Sequence, residues 1–430
     1  MGKENRLSIA RVLFILALFE LIFLGPGWTL ASYHISIREG IFLLNFCVFF
    51  AVLFLRGRFL FPSLSRISVV FAFLNVVVWG LLVALARDNT LNYALADSKG
   101  FLYLLYVLPW TNFAFYENWS HHFVVNVFLI LVSLFSIVVN LIVILFRFDY
   151  LRFYQIISFL DNTLNFHVIF GLMPDGFPRI VWAQFIFLIP ASLFLTSELI
   201  ARKSLSFLKL LALLSCFLSL VFSYSRGLWL GLIVGLIFLF PISTRHLSAK
   251  RILIVASVVL CCFVTIALFG LGYSTLIQER FISSFDIREM SNAIRFSQAK
   301  PLILEWMKYP FLGKGYGATV EGLIRSDVAP YSFELVPLAL LMKLGLVGIA
   351  LWISYFILLM SESKRGIENA KYKGNIEQGW MFRAIYASIP AVLVSSSGDP
   401  FFFNSVGMGM MAFWILMLTI NGTEISHERC

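Results

Sequence analysis

The chain has 430 residues, 60% of them hydrophobic and 13% charged, with a mean hydropathy of +0.89 and a formal net charge of +10. That composition excludes an ordinary soluble domain and points to a polytopic helical membrane protein. A positive balance in a soluble chain would suggest nucleic acid; in a chain of apolar runs it is first a question of loop charges and orientation.

The apolar runs predict an all-α architecture of about twelve transmembrane helices in a single integral membrane domain, residues 1–430. They fall near residues 12–30, 40–55, 67–86, 101–116, 123–146, 180–196, 205–222, 228–241, 252–271, 334–360, 381–396 and 401–420. The first run follows a short basic segment and is of span length with no small-residue cleavage site, so it is expected to stay as a span. Cys47, Cys216, Cys261 and Cys262 lie in apolar runs and Cys430 is terminal; they read as packing residues, not as a disulfide or metal set.

An even number of spans places both termini on one side. With the N-terminus cytoplasmic, the inside segments hold sixteen Lys and Arg residues, including Arg56, Arg58, Arg202 and Lys203, and the short outside segments hold seven. That split expects both termini in the cytoplasm. The basic segment 361–378 then serves as an inside anchor.

Taken in chain order, the outside segment 147–179 reads as an interfacial helix followed by the turn Pro174-Asp175-Gly176-Phe177-Pro178-Arg179. Ser223-Tyr224-Ser225-Arg226-Gly227 interrupts two apolar runs at the outer face, where an arginine is costly to bury without an anion. A plain interfacial turn with a snorkelling arginine is the simpler reading of that motif alone.

Residues 273–331 form one large polar loop, expected outside, carrying Arg280, Arg288, Arg295, Lys300, Lys308, Lys314 and Arg325. Within it, residues 292–309 predict one or two helices around Pro301. Gly313-Lys314-Gly315-Tyr316-Gly317 then gives a turn whose amides and lysine suit a phosphate, or else a flexible connector; the spacing is not that of a nucleotide-binding P-loop. Glu334 sits at the outer mouth of the tenth span, as a candidate general base or as a carboxylate at a helix N-terminus. Asp399 in Ser397-Gly398-Asp399-Pro400 reads as a turn residue. Glu20 and Lys343 lie deeper in apolar runs, where ion pairing is expected. The outside segments hold no Asp-x-Asp pair and no histidine cluster, so neither metal nor cofactor is expected.

Ser225-Arg226-Gly227 opening a span, the arginine-bearing loop, Tyr309-Pro310-Phe311-Leu312-Gly313-Lys314-Gly315 and Gly345-Leu346-Val347-Gly348 together resemble the O-antigen ligase and O-antigen polymerase family. Gly176-Phe177-Pro178-Arg179 before a span with Pro190 is similar too. The likeness in detail covers residues 174–361. It implies a glycosyltransferase of the bacterial inner membrane, in lipopolysaccharide or related polysaccharide biosynthesis. Such an enzyme moves a glycan from an undecaprenyl-pyrophosphate donor to lipid A-core or another lipid-linked glycan at the outer face, without a metal; a polymerase would also meet a chain-length regulator.

By position, the resemblance gives the pyrophosphate to Arg226 and Arg295, with Arg280, Arg179 and Lys314 as helpers. One departure stands out: the family's His-Asn pair falls on Glu334-Leu335, so Glu334 takes the place of the histidine base. A transporter or flippase of lipid-linked glycans, using Glu20, Lys343 and Arg383, is the competing class. A peptidoglycan-polymerising enzyme with a metal-dependent loop carboxylate is a third.

Overall fold

The computed structural model describes residues 8–24, 36–148, 155, 158, 169–172, 178–202, 206–243, 290–323, 329–398 and 400–427. The expected span at 252–271 lies outside them.

The described chain is a helical bundle. Its helices in order are α1 (Ile9–Phe23), α2 (Ile37–Arg56), α3 (Ser63–Ala86), α4 (Leu91–Ser98), a 3-10 stretch (Lys99–Tyr106), α5 (Val107–Tyr116) and α6 (His121–Phe148). After a hairpin come the 3-10 turn Ala183–Phe187, α7 (Leu188–Ala201), α8 (Phe207–Phe222), α9 (Arg226–Ser243), α10 (Met290–Lys308), α11 (Val336–Tyr372), α12 (Ile376–Ser395) and α13 (Ser405–His427). Beside the helices stands one short hairpin: β1 (Ile169–Leu172) pairs antiparallel with β2 (Pro178–Val181), in the segment read as an interfacial helix and turn. Four-residue strands carry too little alternation to stand out in an aromatic-rich stretch.

Among the described residues, five helices are long and apolar enough to cross a membrane: Ile37–Arg56, Ser63–Ala86, His121–Leu145, Ala183–Ala201 and Val336–Tyr372. They sort into layers. Ala183–Ala201 is 94% buried, whereas Ile37–Arg56 is 17% buried and turns Leu43, Phe50 and Phe54 outward. A helix apolar on every side belongs inside, and one that leaves large apolar side chains bare suits lipid. Around α7 the core is completed by α13, whose residues Met408 and Met410–Met417 are fully enclosed.

Between apolar helices, association rests on close packing and hydrogen bonds rather than on hydrophobic contrast. Ser136 and Asn140 of α6 accordingly meet Ser215 and Ser219 of α8 at 2.8–2.9 Å. Gly227 and Gly231, four residues apart on α9, let that helix lie against the backbone of α12, and Gly235 lets it lie against Leu193 of α7. A Cβ on Gly231 would come within 2.5 Å of Ala391 O, and one on Gly235 within 2.6 Å of Leu193 Cδ1.

Ion pairs separate the two ends of the bundle. Arg11–Glu117, Arg202–Glu377 and Lys209–Glu198 gather at one end. Lys99–Glu39, Lys343–Asp97 and Arg295–Glu334 gather at the other. Glu20 and Lys343 are paired as expected, Arg38 Nε lying 2.5 Å from Glu20 Oε1 and Lys343 Nζ 2.6 Å from Asp97 Oδ2.

Candidate functional site

The site starts from a strained turn. Tyr224 takes a left-handed φ of 49°, which ends α8 and reverses the chain; such a conformation costs a non-glycine residue roughly 1–2 kcal/mol. Ser223 Oγ accepts the amide of Ser225, and Trp229 Nε1 donates to Leu220 O across the turn. Arg226 is therefore the first residue of α9, at a fixed height. Its neighbour Gly227 has no room for a side chain, because a Cβ there would lie 2.9 Å from Ser395 O at the end of α12.

The second arginine, on α10, reaches the turn that follows α12. Arg295 Nη2 lies 3.4 Å from Gly398 O, and Arg295 Nε lies 3.7 Å from Glu334 Oε2. Three residues of chain separate the contact points at Ser395 and Gly398, at most roughly 10 Å. Arg295 Nε is buried and donates no hydrogen bond. The arginine is thus held by loose contacts, and its fork keeps donors for an anion.

Gln298, one helical turn beyond Arg295, was missed by sequence reasoning. It is 5% exposed, and its Oε1 accepts the amides of Glu334 at 3.0 Å and Leu335 at 3.4 Å. Those amides belong to the two residues that lead into α11. The i,i+3 spacing from Arg295 to Gln298, which puts both on one helix face, was the available signal.

The glycine-rich segment 309–317 behaves otherwise. Lys314 N and Gly315 N donate to Met342 O and Lys343 O at 2.8 Å, Tyr316 N donates to Trp79 O at 3.1 Å, and Gly317 N donates to Asp97 Oδ2 at 2.8 Å. Leu346 N and Val347 N return bonds to Pro310 O and Phe311 O, where α11 breaks at Gly345 (φ 63°, ψ −171°). Gly313, Gly315 and Gly317 all have positive φ, and each presses on neighbouring backbone. Lys314 Nζ lies 2.7 Å from Glu305 Oε1 and also donates to Thr319 O. The expected phosphate turn is therefore a buried strap whose amides and lysine are already spent. Burial pushes the Glu305 carboxyl up, but hydrogen bonds from Lys308 and Lys314 outweigh it and hold the group below its usual range.

Of the predicted site residues, the structure brings Arg295 to Glu334, begins α9 at Arg226 next to the end of α12, and engages Lys314 with Glu305. Arg179 stands in β2 opposite Gly171. Arg280 and Asp399 lie outside the described residues.

Residues 210–353, from within α8 into α11, match the family model described as O-antigen ligase. The chain carries an O-antigen ligase family segment. No curated protein matches the chain. The O-antigen ligase segment contains Arg226, Arg295, Gln298 and Glu334, together with the strap, but ends before Gly398, so part of the corner is supplied from outside it.

Proposed function

We propose that the protein is a glycosyltransferase that moves a glycan from an undecaprenyl-pyrophosphate donor to a saccharide acceptor, lipid A-core or another lipid-linked glycan. The reaction runs at the outer face of the bacterial inner membrane with both termini in the cytoplasm, and it uses no metal. What supports this reading most is the corner where Arg295 lies 3.7 Å from Glu334 and 3.4 Å from Gly398 O, beside the start of α9 at Arg226.

In this mechanism Arg226 and Arg295 bind the pyrophosphate and stabilise the charge that grows on it as the glycosidic C–O bond breaks. Glu334 takes the proton of the attacking acceptor hydroxyl, and Arg295 holds that carboxylate on the leaving-group side. Gln298 positions Glu334 through the two amides at the head of α11. Arg280 and Arg179 remain further pyrophosphate ligands in the proposal; Lys314 acts on the strap. A flippase would need Glu20 and Lys343 for ion movement, and both are engaged in ion pairs, Glu20 with Arg38 and Lys343 with Asp97.

The test is transfer of lipid-linked oligosaccharide by purified protein in detergent, where no sealed membrane exists. Arg226→Ala and Arg295→Ala should each lower the rate by about 10²–10³-fold, the usual loss for one charge-stabilising donor, while eluting as folded protein. Normal product from both variants would take the two arginines out of the mechanism, and no product from the wild-type protein would sink the transferase reading.

A further inference from the structure

Next to the arginine corner lies a cavity of about 380 Å³, within the size range of small-ligand sites. Its walls are the head of α2, residues 96–103, residues 329–333, the first turns of α11 and residues 400–405. Phe333 and Val336 line it on either side of Glu334, and Pro400 lines it two residues beyond Gly398. The cavity and the arginine corner thus share a wall.

Its charges balance. The cations around it are Arg38, Lys99 and Lys343, and each meets a carboxylate: Glu20 at 2.5 Å, Glu39 at 3.5 Å and Asp97 at 2.6 Å. A phosphate entering here would have to displace one of those partners, so the cavity does not suit the pyrophosphate. Hydroxyl groups face no such conflict, since they both donate and accept. Asp97 takes Lys343 Nζ and Gly317 N on Oδ2, which leaves Oδ1 as an acceptor. Burial, and then the Asp97 charge, hold the Tyr331 phenol above its ordinary value, so it too is a neutral hydroxyl. Tyr331, Phe333 and Phe403 add flat apolar surfaces of the kind that pack on the C–H face of a pyranose ring.

We infer that this cavity is the subsite for the terminal sugar of the acceptor, an uncharged pyranose that it turns toward Glu334. The word acceptor rests on the transferase reading; the saccharide chemistry rests on the cavity alone. Seated there, the sugar has its ring against Tyr331 and Phe333, one hydroxyl on Asp97, and another directed past Phe333 to the Glu334 carboxylate. The arginines keep the donor's phosphates on the far side of that wall. An acidic sugar is excluded by the same balance, because it would leave one carboxylate without its cation.

Saturation-transfer NMR on the full chain in a non-glycosidic detergent tests this, with methyl glucoside, methyl galactoside and methyl N-acetylglucosaminide as probes and methyl glucuronide and inorganic pyrophosphate as contrasts. The neutral glycosides should show transfer that pyrophosphate does not displace. Ala96→Trp, which fills the mouth from an exposed position, and Ser332→Trp, which fills it from the loop, should both abolish the signal in monodisperse protein. In the transfer assay Tyr331→Leu should raise KM for the acceptor and leave KM for the donor unchanged. A glycoside signal that survives both tryptophan variants, displacement by pyrophosphate, or a rise confined to the donor KM would each overturn the assignment. Absence of transfer by the wild-type protein would instead remove the transferase reading, and the tryptophan variants would still decide whether the cavity binds a sugar.

Discussion

Two regions of this molecule look alike as text and differ as structure. The strap at 309–317 and the corner at Arg226, Arg295 and Glu334 both set cations beside glycines near the membrane boundary. In the strap, the amides of Lys314, Gly315, Tyr316 and Gly317 are taken by carbonyls or a carboxylate at 2.8–3.1 Å, and the lysine sits on Glu305. In the corner, Arg295 is held at 3.4–3.7 Å. Tight, complete satisfaction marks a region that organises the fold; the looser hold on Arg295 is what the proposed function draws on.

Breaking the strap should therefore cost the protein, and breaking the corner only the reaction. The largest effect is expected from Gly317→Ala. Its Cβ would lie 2.3 Å from Ala94 N at a φ of 72°, so the monodisperse fraction recovered in detergent should collapse; wild-type recovery would show that the strap is not structural.

Glu334→Gln should keep the fold and lose about 10²–10⁴-fold in transfer rate, as for removal of a general base, with Glu334→His far less impaired. Equal rates in Glu334→Gln and wild type would take the carboxylate out of the mechanism. Lys314→Met should cost about 1 kcal/mol or less, because it removes a part-exposed ion pair, with transfer unchanged. A fall as deep as that of Arg295→Ala would return Lys314 to the pyrophosphate set.

The smallest effect is a pH dependence. The folded-state pKa of Glu305 is lowered, so its contribution is complete above the ordinary value of 4.5 and fades as the pH drops through the lowered one. Thermal unfolding of wild type and Glu305→Gln should accordingly differ at neutral pH and converge in acid. A gap that persists in acid would mean that Glu305 acts through packing.

The contrast also explains what could be read from the sequence. Arg226, Arg295 and Glu334 drew notice in the sequence because charge is scarce in a chain this apolar, and the structure joins Arg295 to Glu334. Gly227, Gly231 and Gly235 were legible in principle as a four-residue repeat, which is what α9 needs to approach α12. The role of the strap was hidden, because its acceptors come from Trp79, Asp97, Met342 and Lys343, which no local pattern connects to it. Gln298 was hidden for a different reason: a neutral amide gives no charge signal, and its value appears only once α11 begins beside it.

The break at Gly345 carries a mechanical consequence. A helix that loses its ladder at membrane depth ordinarily becomes a joint, since its loose donors and acceptors must find new company. Here that company is Pro310 and Phe311 for the amides of Leu346 and Val347, and Lys314 and Gly315 for the carbonyls of Met342 and Lys343, so the joint is bolted from both sides. The short rod that begins beside Glu334 is therefore seated like an anvil. Any motion in a working cycle is then expected elsewhere than in a bend of this helix.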